Sequence, residues 1–167
     1  MKYTFEDFKE IIDRLRGENG CPWDREQTYE SLKPCLINET AEAVGAVNIL
    51  NEMGESAHLC EELGDVMLQV VLLARIAEEE GRFSMEDVIQ GISEKMIRRH
   101  PHVFGDAEVE NSDQILVNWE EIKKKEKQGK GAEYKQREKT ATYRAEKEMM
   151  NHLKKEMEKQ EKNGVMP

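Results

Sequence analysis

Residues 59–73 read Leu-Cys-Glu-Glu-Leu-Gly-Asp-Val-Met-Leu-Gln-Val-Val-Leu-Leu. Leu59, Leu63, Val66, Val70 and Leu73 recur at spacings of three and four, which is the period of one helix face. Glu62 and Asp65 are three apart and border that apolar arc, so both carboxylates point the same way, beside a packing surface rather than opposite it. The most apolar stretch, Leu63 to Ala77, contains Asp65, Gln69 and Arg75 and is too short and too interrupted to span a bilayer.

Upstream, Asn51-Glu52-Met53-Gly54-Glu55-Ser56 reads as a turn, and beyond it lies a second acidic pair, Glu39-x-x-Glu42, bordering Leu36, Ala43, Val47 and Leu50. An antiparallel hairpin of two helices brings the pairs together. Their mean distances from Gly54 differ by about four residues, only ~6 Å at helical rise. One acidic pair on a helix usually faces water. Two pairs at matched height beside apolar arcs point instead to a cation that offsets their mutual repulsion. All-oxygen ligation suits magnesium, with manganese also possible, whereas a di-iron site requires Glu-x-x-His pairs. His58, His100, His102 and His152 form none.

Helical patterns fill the rest of the chain. Thr4-x-x-Asp7 resembles a capping box opening a helix through Ile11, Ile12 and Leu15. Residues 17–24, dense in breakers, are expected to form an ordered loop. The helix bearing Glu39 and Glu42 is expected from about Thr28 to Glu52, bent or restarted at Pro34. The next covers roughly Ser56 to Glu80 and stops at Gly81. Ser84-x-x-Asp87 caps a helix with a stripe of Met85, Val88, Ile89, Ile92 and Met96, ended by His100-Pro101-His102. A fifth starts near Ser112 and includes Ile115, Leu116, Trp119 and Ile122. No strand-like alternation of useful length appears. The expected fold is an all-α helical bundle over residues 1–128, with a charged helical or partly disordered tail over 129–167 that has only a thin apolar stripe.

The net charge of −10 conceals an asymmetry. Residues 1–119 have 11 Lys+Arg against 25 Asp+Glu (−14), and residues 120–167 have 14 against 10 (+4). An acidic body repels polyanions, which argues against a nucleic-acid polymer as partner. Cys21, Cys35 and Cys60 form no C-x-x-C pair, arguing against a disulfide framework and fitting a reducing cytoplasm. The first residues contain no apolar signal region, and no membrane role is expected.

Cations and rings of the kind a triphosphate needs follow the acidic hairpin. Lys95 and Arg99 are one helical turn apart, with Arg98 beside them, and Lys123 lies one turn after Trp119. An indole can stack on a base.

Gly20-Cys21-Pro22-Trp23-Asp24-x-x-Gln27-Thr28, the acidic pairs with Glu62-Leu63-Gly64-Asp65, Glu80-Gly81-Arg82-Phe83, Arg98-Arg99-His100-Pro101-His102-Val103-Phe104 and Trp119-Glu120-x-Ile122-Lys123 occur in this order. Together they resemble the MazG family of nucleoside triphosphate pyrophosphohydrolases over residues 5–127. The resemblance implies magnesium-dependent hydrolysis of a nucleoside triphosphate between its α- and β-phosphates, and a homodimer or dimer of dimers with the acidic bundle near the subunit contact. Glu39, Glu42, Glu62 and Asp65 resemble the family's metal-binding catalytic carboxylates. Lys95, Arg99 and Lys123 resemble its phosphate contacts, and Trp119 a contact near the nucleoside. The family pattern begins Glu-Glu-x-x-Glu, whereas this chain has Asn38-Glu39-x-x-Glu42, a neutral amide in place of one carboxylate. A non-catalytic nucleotide-binding or oligomeric adaptor module is the alternative, separated from the enzyme by magnesium-dependent turnover.

Overall fold

The computed structural model describes residues 2–109 and 111–164, and its regular structure there is entirely helical. Eight helices follow in order: α1 (Phe5–Arg16), α2 (Pro22–Glu26), α3 (Tyr29–Met53), α4 (Ala57–Glu79), α5 (Met85–Arg99), α6 (Pro101–Phe104), α7 (Ser112–Gln128) and α8 (Ala132–Lys162). None is long and apolar enough to cross a membrane.

Local chemistry sets most boundaries. The Thr4 side chain accepts from the Asp7 amide while Asp7 accepts from the Thr4 amide, completing the capping box at α1. Thr28 and Ser31 form a second reciprocal box at α3. That helix runs unbroken through Pro34, so it does not restart there. The missing N–H costs one hydrogen bond near the start of a 25-residue helix, while Leu32 is fully anchored in the core. Two short helices escaped the sequence reading. Pro22 and Pro101 each sit in the first turn of one, where no N–H is needed. Gly54 ends α3 at φ +74°, a left-handed cap natural to glycine, and its N–H bonds Leu50 O at 2.9 Å.

The chain forms two compact units. The first comprises residues 1–85 and 148–167, the second 86–147. In the first, α3 packs along α4, and α1 packs on α2 and α4. Ile12, Leu32, Val71, Leu72 and Ile76 make the core, ringed by Phe5, Phe8, Leu15, Tyr29, Leu68, Leu73 and Met85. The arc read from the sequence is thus only partly the buried one. Leu73 packs on the core, but Leu63 and Val70 are 55% and 37% exposed, because α4 is apolar on more than one face and α1 selects the face that includes Leu72 and Ile76. Arg16, with its side chain 5% exposed, locks this unit together: it pairs with Glu79 at 2.7 Å and donates to the carbonyls of Asp24 and Gln27.

In the second unit no residue of α5, α6 or α7 is buried, and the stripe expected on α5 leaves Ile89 and Ile92 exposed. Arg98 and Arg99 of α5 share the Glu126 carboxylate of α7, and His100 meets Trp119 edge-on at 4.7 Å.

Candidate active site

The three-residue connection at 54–56 makes α3 and α4 an antiparallel hairpin, and the acidic pairs meet across it. Oxygen atoms from Glu39, Glu42 and Glu62 all lie within 4.8 Å of one another. The three differ in depth: Glu42 is exposed, Glu39 half-buried and Glu62 buried. Asp65, one turn beyond Glu62, lies outside this tight group, yet its charge reaches it. Burial, then the charges of Glu42, Asp65 and Glu62, hold the Glu39 carboxyl above the ordinary carboxylate range.

Glu62 is the most constrained member. One oxygen is 3.3 Å from Nδ1 of His58, a turn earlier on α4. The other, Oε2, is buried with no protein partner. A buried carboxylate oxygen without a donor is costly, and a cation placed among the three acids supplies the missing charge. The donor set, all carboxylate oxygen, fits a hard divalent ion.

The predicted cations and ring belong to the second unit. Arg99 Nη2 and Nε reach Glu126 Oε2 at 2.6 and 3.2 Å, and Arg98 Nε reaches its Oε1 at 2.8 Å. These two guanidiniums, Arg99 foremost, hold the Glu126 carboxyl at about 2. The cation over the Trp119 ring is Arg99, at 5.5 Å, whereas Lys123 turns toward Glu120 at 2.7 Å. Lys95 is half-buried one turn before Arg99.

Three groups were missed in the sequence. His58 stands four before Glu62, a spacing that offered a signal. Glu126 offered none beyond its charge. His152, whose Nε2 is 2.7 Å from Asn38 Oδ1, is too distant in the chain for any spacing rule.

Residues 27–104 match the family described as the MazG nucleotide pyrophosphohydrolase domain. The chain is 53% identical over 127 residues to a Bacillus subtilis protein named uncharacterized protein YabN, covering 76% of this chain and 25% of that one. It is 50% identical over 123 residues to a Thermotoga maritima protein named nucleoside triphosphate pyrophosphohydrolase/pyrophosphatase MazG, covering 74% and 45%. It is 47% identical over 118 residues to an Escherichia coli protein named nucleoside triphosphate pyrophosphohydrolase, covering 70% and 43%. The chain therefore spans between a quarter and a half of the length of these relatives.

Proposed function

The chain carries a MazG nucleotide pyrophosphohydrolase domain over residues 27–104, and from that premise we propose that it hydrolyses nucleoside triphosphates between the α- and β-phosphates, giving a nucleoside monophosphate and pyrophosphate. The observation that supports this most is the buried, unpartnered Oε2 of Glu62, a residue whose carboxylate is grouped with those of Glu39 and Glu42. Magnesium, or manganese in its place, held by Glu39, Glu42 and Glu62 with Asp65, would offset the charge of the triphosphate, polarise the reacting phosphoryl group and acidify a bound water.

The side chains divide the remaining work. Glu39, half-buried beside Glu42 and Glu62, orients the attacking water and accepts its proton. Lys95, Arg99 and Lys123 neutralise the charge that builds on the departing pyrophosphate. For Arg99 this means exchanging Glu126 for a phosphate oxygen, a like-for-like swap of anions at a guanidinium. Trp119 contacts the nucleoside side of the substrate.

The active form in this proposal is a homodimer or a dimer of dimers in the cytoplasm. Val44, Val47, Leu63, Met67 and Val70, on the two helices that hold the carboxylates, are exposed apolar side chains of the kind a subunit contact covers. Cys21, Cys35 and Cys60 are all free thiols, which suits a reducing compartment.

The test is pyrophosphate release from a panel of ribo- and deoxyribonucleoside triphosphates, with magnesium and with excess chelator, together with the sedimentation mass of the protein. Monophosphate and pyrophosphate formed only with magnesium support the reading. Folded protein that releases none overturns it.

A further inference from the structure

The last turns of α8 belong to the same compact unit as α3, although they lie outside the residues matched by the family domain. His152 ties the two helices together through Asn38. Beside that tie is a cavity of about 380 Å³ with Asn38 and Glu42 on one side and Leu153, Glu156, Met157 and Gln160 on the other. Its volume falls among those of small-molecule sites.

Glu42 is shared between the cavity and the carboxylate cluster. A ligand whose anionic end is held at the cluster therefore has its remainder directed here. Glu42 and Glu156 make the walls acidic, with Glu156 already paired to Lys159 at 2.6 Å, so a second anionic group is unwelcome. Leu153 and the adaptable thioether of Met157 offer apolar contact to a flat ring. The amides of Asn38 and Gln160 offer both donors and acceptors. With Oδ1 of Asn38 facing His152, its amino group is left for another partner. A neutral residue at position 38 suits a wall that meets a neutral group. We propose that this cavity binds the nucleoside portion of the triphosphate, and that the α8 residues Leu153, Met157 and Gln160 take part in choosing the base. The assignment rests on the pyrophosphohydrolase reading for its ligand class.

Binding of nucleoside 5′-monophosphates to the full chain in saturating magnesium reads the cavity without turnover. Met157→Arg, which fills and charges it, is expected to weaken binding at least about tenfold, while Lys155→Ala, on the same helix but outside the cavity lining, binds as the unaltered protein does. Gln160→Ala, at an exposed position, is expected to change the ranking of the four bases severalfold without loss of helix content, and it stands as the test if Met157→Arg does not fold. Affinities and ranking that are unchanged in folded Met157→Arg and Gln160→Ala overturn the proposal, as does absence of monophosphate binding by the unaltered chain. Lack of triphosphate turnover with Met157-dependent binding intact overturns the hydrolase reading alone.

Discussion

Nε2 of His152 lies 2.7 Å from Oδ1 of Asn38, joining α8 to α3 across 114 residues of sequence. The bond fastens the α8 segment one turn from Glu42. His152→Ala leaves the amide oxygen to water, and a net loss of about 1 kcal/mol is expected in urea unfolding. Asn38→Ala should cost a similar amount, and the double variant little more than either, because both remove one interaction. Fully additive losses in the double variant would disprove the coupling.

Glu39 has a pH-dependent consequence. Its folded pKa lies above the ordinary 4.5, so its ionised form is a burden on the folded state near neutral pH. That burden is lifted as pH falls through the raised pKa and is absent below 4.5. Without divalent cation, Glu39→Gln is expected to melt a few °C higher than the unaltered protein near neutral pH, with the difference vanishing in acid. Magnesium should reverse the order, since only the intact cluster gains from it. Melting curves at two pH values, with and without magnesium, decide the matter.

Glu62→Ala and Asp65→Ala separate the tight group from its outlying charge. Under the proposed function, Glu62→Ala should lower turnover at least ~100-fold and raise the magnesium concentration needed. Asp65→Ala should be milder, in keeping with its place outside the three-carboxylate group. Turnover and magnesium dependence unchanged in both would remove these acids from the mechanism.

Arg16 is the main polar lock of the first unit. Its nearly buried guanidinium spans Glu79 and two backbone carbonyls, while Glu79 keeps partial access to water. Arg16→Ala is expected to cost about 2–3 kcal/mol, and Arg16→Lys to recover only part, because an ammonium cannot fork between these acceptors. Complete rescue by lysine would show that charge alone matters here.

The Arg98–Glu126–Arg99 triad should be visible in acid. Glu126, held at about 2, contributes stability above its unfolded value of 4.5 and loses it as pH falls through about 2. Glu126→Gln is expected to be less stable than the unaltered protein above pH 4.5, and the gap should close toward pH 2. High salt should narrow it as well, because the groups are solvent-accessible. A gap independent of pH would mean the pair contributes no electrostatic stability.

Much of this molecule was legible in its sequence. The cap at Thr4, the helix start near Thr28, the turn around Gly54, the helical periods and the meeting of Glu39, Glu42 and Glu62 all follow from interactions spanning a few residues, or from one short turn. Backbone hydrogen bonding and φ preferences act over that range, so local sequence determines them. Other features required the packed chain. Leu72 and Ile76 are buried while Leu63 and Val70 stay open, since α4 has several apolar arcs and only contact with α1 selects among them. Arg99 bonds Glu126 and stacks on Trp119, and His152 finds Asn38, because side chains choose partners by position after folding. The sequence by itself determined the helices and the acids they present. Only the tertiary structure decided how deep each acid lies and which distant residues stand beside it, because burial and long-range pairing depend on which segments pack together rather than on any one segment's own period.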